Sequence, residues 1–161
     1  MAILMSYSPQ LLDHALSPRH CGFLINPDFI GIAGIDGCAP YMVLHLRTEL
    51  SVIRDCRFRT FGCGPSIACG SVLCELIIGK SFDECAGITD RDIADRLGGL
   101  PREKEWCCRF ALDSLRNALE DQVAAHLFSS GTNSGAVPTK NGSSSREPSN
   151  DRYIKERSHH D

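Results

Sequence analysis

The 161-residue sequence has no excess of positive charge; its formal net charge is −3. A chain that holds nucleic acid by bulk electrostatics is usually basic, so that class is set aside. No apolar run approaches the roughly 18 residues that a membrane span needs. Met1 to Ser8 has neither a basic n-region nor a long apolar stretch, so no secretory signal peptide is visible. No two cysteines form a CxxC pair, which removes the best signal for zinc-finger and thioredoxin-type sites. Internal repeats are also missing. The expectation is a cytoplasmic protein that binds neither nucleic acid nor membrane.

What the chain does have is nine cysteines: Cys21, Cys38, Cys56, Cys63, Cys69, Cys74, Cys85, Cys107 and Cys108. An odd number leaves one thiol over in any closed disulfide framework. With 42% hydrophobic and 23% charged residues the chain can build an ordinary core, so it needs no disulfide staples. Reduced cysteines are then buried small hydrophobes, metal ligands or reactive groups.

Composition divides the chain near Phe128. From 129 to 161 only Ala136, Val137, Tyr153 and Ile154 are apolar, and runs such as Ser143-Ser144-Ser145 dominate. That stretch cannot bury enough surface to offset its ordering entropy. It is expected to be a disordered polar tail after a 1–128 domain, and the terminal His159-His160 a solvated end.

Within 1–128, Ser8 and Pro9 suit the start of a helix carrying Leu11, Leu12, Ala15 and Leu16, which Pro18 stops. A glycine-rich stretch follows, in which Gly31-Ile32-Ala33-Gly34 can pair as a short strand. Met42, Leu44 and Leu46 alternate with Val43, His45 and Arg47; Cys56 and Phe58 alternate with Asp55, Arg57 and Arg59. Period two with one charged face predicts two antiparallel strands, 41–50 and 52–61, in a sheet covered on one side, with His45 solvated on the other. The period then lengthens. Ile67, Leu73, Leu76 and Ile77 predict a helix opened by Pro65. Ser81-Phe82-Asp83-Glu84 reads as a capping box, Thr89 as another cap, and the last helix follows Pro101 with Cys108, Ala111, Leu112, Leu115, Leu119, Val123 and Leu127 on its apolar face. The fold class is α+β: a small antiparallel sheet of about three strands with helices packed on one face.

Three cysteines stand at element junctions. Cys38 follows Gly37 before a strand, Cys63 lies between Gly62 and Gly64, and Cys107 is near the start of the last helix. Flanking glycines allow close backbone approach, and helix starts favour thiolates at Cys63 and Cys107. Three converging thiolates bind zinc or an iron–sulfur cluster. Cys21, Cys56, Cys69, Cys74 and Cys85 read as packing.

Around these cysteines the blocks Leu12-Asp13-His14, Ser17-Pro18-Arg19-His20-Cys21-Gly22, Gly37-Cys38, Thr60-Phe61-Gly62-Cys63-Gly64 with Ile67-Ala68, Glu75 to Lys80, and Leu100-Pro101 with Lys104 and Cys107 occur in order. From Tyr7 to Leu127 the chain resembles the IscU/NifU family of iron–sulfur cluster assembly scaffolds. The resemblance implies a scaffold, not an enzyme, that holds a nascent [2Fe–2S] cluster, or Zn2+ when cluster-free, on Cys38, Cys63 and Cys107. It implies a cysteine desulfurase as sulfur donor and apo-proteins as acceptors, with the scaffold a monomer or a cluster-bridged dimer. An Hsp70-type chaperone contacts a Leu-Pro-x-x-Lys stretch in some members. Here that stretch is Leu100-Pro101-Arg102-Glu103-Lys104, charged where its fullest form is apolar, which counts against docking.

Two positions depart from the family pattern. Pro40 stands where Asp is usual in Cys38-Ala39-Pro40, and Trp106 where His is usual before Cys107. Neither side chain coordinates a metal, so a fourth ligand is missing. Cys108 ranks first as its replacement, water or a small thiol second, and Asp36 third. Cys107 and Cys108 can face one metal only if the helix begins after them, because adjacent helical residues point about 100° apart. Two other functions remain open. One is a diverged paralogue keeping a stable zinc or Fe–S site, all-thiolate if Cys108 joins. The other is a sulfur-acceptor or interaction module for a desulfurase, using a low-pKa Cys107 and no metal.

Overall fold

In the structure, a computed structural model, the backbone is described over residues 7–35 and 38–130 and side chains over 7–34 and 38–124. Asp36, Gly37, the Leu127 side chain, and residues 131–161 with His159-His160 therefore lie outside the described residues.

Helix α1 spans Pro9–Leu16, with the Ser8 hydroxyl accepting from the Leu11 amide. Strands β1 (Phe29–Ile35), β2 (Cys38–Glu49) and β3 (Val52–Phe61) follow, then helices α2 (Gly64–Ile77), α3 (Phe82–Ala86) and α4 (Asp90–Arg96). A 3-10 turn at Arg102–Lys104 leads into α5, Trp106–Ser130. Both antiparallel pairings join neighbours in the order β1-β2-β3. The α+β expectation holds. The β2–β3 register, Leu44 opposite Phe58 and Leu46 opposite Cys56, puts Met42, Leu44, Leu46, Cys56 and Phe58 into one buried layer under the helices. Leu50 and Ser51 close that hairpin with positive φ at both residues, as a two-residue turn matched to strand twist requires.

β1 is longer than the four residues expected. Its inward positions Gly31 and Ala33 are small because α5 lies directly against them. A Cβ on Gly31 would sit 1.8 Å from the Ser114 carbonyl oxygen. Gly70 does the same for α2, where a Cβ would meet the Phe58 ring at 2.5 Å. These two contacts seat α5 and α2 directly on the sheet.

The outer face is not wholly open. Residues 20–28 run across it: Gly22 N–H donates to the Phe58 carbonyl (2.8 Å), Leu24 N–H to His45 Nδ1 (3.1 Å), and Asp28 N–H to the Leu46 carbonyl (2.8 Å). His45, expected to be solvated, is therefore half-buried beneath this segment and accepts a backbone hydrogen bond. Cys21, expected to be packed, is exposed because its segment bridges to Phe58 along the free edge of β3. Among the described residues no helix is long and apolar enough to cross a membrane.

Candidate functional site

Cys63 is the N-cap of α2 and Cys107 the second residue of α5. Their sulfurs lie 3.9 Å apart. Between them sits Ser66, one turn into α2 and only 2% exposed. Its hydroxyl donates to Cys107 Sγ at 3.4 Å and lies 3.5 Å from Cys63 Sγ. Pro65 allows this geometry, since it lacks the amide hydrogen that a first-turn position cannot use anyway. Ser66 then follows Cys63 at i+3, on the same helix face.

Cys38 opens β2 and is exposed. Tyr41 pairs with Phe61. Cys38, upstream of that pair, and Cys63, downstream of it, therefore emerge at one end of the sheet. Pro40 is exposed next to Cys38, across a cis Ala39–Pro40 bond. Trp106 is 42% exposed and meets Phe110 edge to face, with ring centroids 6.1 Å apart.

Cys108 faces elsewhere. Helix α5 begins at Trp106, before both cysteines, so the condition for Cys107 and Cys108 to face one metal is not met. The Cys108 sulfur instead lies 3.6 Å from Cys69 Sγ in the α2–α5 interface and borders a separate cavity of about 310 Å³ lined also by Asp90, Leu100 and Glu105. Its place on the apolar helix face was the more telling sequence signal. A third pair, Cys56 and Cys74, lies in the core with sulfurs 3.0 Å apart. Among the described residues no three Cys, His, Asp or Glu side chains cluster as a metal site.

The two thiols of the site differ. Burial works against ionisation of Cys63, yet hydrogen bonds from the Ser66 side chain and backbone and from Cys107, with Lys104 nearby, bring it below the ordinary thiol value. Burial pushes Cys107 up to about 12, with the Ser66 hydrogen bond opposing. The helix start therefore does not make Cys107 a low-pKa thiol; dehydration outweighs it. In metal-free protein at pH 7.5 we expect iodoacetamide to modify Cys63 at least about ten-fold faster than Cys107, because only the thiolate reacts. Peptide mapping by mass spectrometry checks this; equal rates would contradict the burial contrast.

Sequence reasoning missed Ser66. The available signal was its i+3 spacing from Cys63 in Cys63-Gly64-Pro65-Ser66, which puts a hydroxyl beside the thiol once Pro65 is read as the first helical turn.

The profile of the NifU-like N terminal domain family matches residues 6–127. The iron–sulfur cluster assembly scaffold protein IscU of Aquifex aeolicus is 38% identical over 119 residues, covering 73% of this chain and 76% of that protein. The protein of the same name from Escherichia coli is 37% identical over 121 residues, covering 73% and 94%. Among solved structures, a candidate iron–sulfur cluster assembly scaffold for the SUF system from Fervidobacterium islandicum aligns with a TM-score of 0.58 at 21% identity, covering 71% of this chain and 97% of that one, a likeness of fold. With Cys63, Ser66 and Cys107 all inside the matched span, the chain belongs to the NifU-like N-terminal domain family, the IscU/NifU type of scaffold.

Proposed function

We propose that the protein is a scaffold on which an iron–sulfur cluster, of the [2Fe–2S] type, is assembled and from which it is passed on. Cys38, Cys63 and Cys107 hold the iron. The observation that carries this reading is the 3.9 Å separation of the Cys63 and Cys107 sulfurs. Two thiolates on one tetrahedral metal at bond lengths near 2.3 Å stand about 3.8 Å apart, so the pair needs almost no rearrangement to bind. Thiolates are soft ligands suited to iron and zinc, and zinc occupies the same sulfurs when no cluster is present. Iron and sulfide are cargo here, so the protein is a carrier and not a turnover enzyme.

A cysteine desulfurase is the proposed sulfur donor. A thiolate of the scaffold attacks the outer sulfur of the donor's persulfide, the S–S bond breaks, and the donor leaves as its own thiolate. Acceptor apo-proteins take the finished cluster. Lys104 lies near the site thiols, but the Leu100 to Lys104 stretch is charged at its exposed middle residues, so Hsp70-type docking is not part of the proposal.

Anaerobic incubation of the full chain with ferrous iron, cysteine, a desulfurase and a thiol reductant, which brings the transferred persulfide sulfur to sulfide, should give a coloured protein with bound iron and labile sulfide. Cys63→Ala and Cys107→Ala should stay colourless. A parent protein that remains colourless and iron-free under these conditions would overturn the reading.

A further inference from the structure

The residues that face the sulfurs leave a question of valence, since Pro40 and Trp106 offer no ligand and Cys108 faces Cys69. We propose that Ser66 supplies an oxygen ligand, so that Cys63 Sγ, Cys107 Sγ and Ser66 Oγ form one face of the metal-binding tetrahedron and Cys38 closes it. This rests on the scaffold reading above and deepens it.

A metal bound to sulfur at about 2.3 Å and to oxygen at about 2.0–2.2 Å places tetrahedral S···O neighbours about 3.5 Å apart and S···S neighbours about 3.8 Å apart. The three observed edges are 3.4 Å and 3.5 Å for S···O and 3.9 Å for S···S. All three therefore match one tetrahedral face. Ser66 is rigid where it stands: its amide donates to the Cys63 carbonyl at 2.9 Å, and its buried hydroxyl is held between the sulfurs. Cys38, the exposed first residue of β2 at the same end of the sheet, is the member that closes over a metal.

The chemistry fits cargo better than storage. The hydroxyl oxygen binds through a lone pair, and its proton leaves or turns away from sulfurs that have become metal-bound thiolates. One hard oxygen among three soft thiolates is the weakest bond of the set and the one an acceptor's thiol would displace first. A tightly held all-thiolate site would lack that weak point.

The test uses Co2+ as a spectroscopic stand-in and Zn2+ competition against a chromophoric chelator, on the full chain. The parent should bind one tetrahedral Co2+ with sulfur-to-cobalt charge-transfer intensity for three thiolates. Ser66→Ala should shift the d–d bands and weaken Zn2+ by at least about ten-fold, no less than losing a supporting contact to a ligand does. Ser66→Cys should restore tight binding and raise the charge-transfer intensity by about a third, the step from three thiolates to four. That gain requires the side chain at 66 to touch the metal, which a packing role would not produce. Ser66→Ala with unchanged d–d bands, or Ser66→Cys with no added charge transfer, overturns the proposal. If Co2+ binding by the parent is indifferent to Cys63→Ala and Cys107→Ala, the scaffold reading fails first and takes this ligand with it.

Discussion

Gly31→Val should destabilise the protein by about 3 kcal/mol or more and lower its melting temperature by roughly 10 °C. Local preference argues the opposite. Valine is favoured in strands and glycine is poor in them, a difference on the order of 1 kcal/mol in favour of the variant. Packing decides against it. A Cβ at 31 would lie 1.8 Å from the Ser114 carbonyl oxygen and 2.7 Å from the Ala118 amide nitrogen, both backbone atoms of α5. Side-chain rotation cannot relieve a clash with helix backbone, so α5 must move off β1. Cys107 rides on the first turn of that helix, and its 3.9 Å approach to Cys63 should be lost with it. Thermal melts with and without Zn2+ check both effects. A variant melting within about 2 °C of the parent would show that α5 is not seated as described.

The same glycine shows where the sequence was hard to read. The β2–β3 hairpin was legible because its inward residues are large and alternate strictly, Met42, Leu44 and Leu46 against Cys56 and Phe58. β1 obeys the same alternation, but its inward positions are Gly31 and Ala33, small for the sake of a helix about eighty residues later. A pattern written by a distant partner looks like a loop when read locally. Capping, by contrast, is local. Ser8, Ser81 and Thr89 all cap the helices expected of them, and Thr89 pairs reciprocally with Asp92, a capping box using Asp where Glu or Gln is the usual cue.

The site divides along the same line. Cys63 and Cys107 were legible as junction residues, and the two helix starts bring them together. Cys108 carried two conflicting signals, a spare thiol beside Cys107 and a position on the apolar face of α5. Helical periodicity won, because the helix begins two residues earlier and turns that side chain toward Cys69. The expected ease of ionising Cys107 failed for a related reason. A helix start offers its partial charge wherever it lies, but the 107 side chain is sealed from water, and burial is the larger effect.

That sealing extends to other thiols and makes the metal-free protein sensitive to alkali. Burial pushes Cys56 well above the ordinary value of 9.0, Cys85 up to about 11 and Cys107 up to about 12. Cys69 is raised as well, through its hydrogen bond with Cys108 and then by burial. The sign follows from proton counting. Below pH 9 these four are protonated in folded and unfolded chains alike, so their contribution is constant. Above it the unfolded chain releases their protons while the folded chain retains them, and stability falls as pH rises. Cys63 and Cys108, whose values are lowered, act in the opposite sense, but their gain is complete once the unfolded thiols have ionised near 9. A thiol that stays protonated loses at most about 1.4 kcal/mol per pH unit, and with that halved for solvent screening Cys85 and Cys107 alone remove about 2–3 kcal/mol between pH 9 and 11, with Cys56 and Cys69 acting in the same direction. That is a large part of the stability of a domain this size. Urea midpoints in chelator and reductant at pH 8 and pH 10.5 should therefore differ sharply, and Cys85→Ala should reduce the difference by removing one of the four. A midpoint independent of pH over this range would mean that water reaches these sulfurs. Zn2+ should blunt the loss, because it binds Cys107 as the thiolate and so removes that proton from the folded state before alkali does.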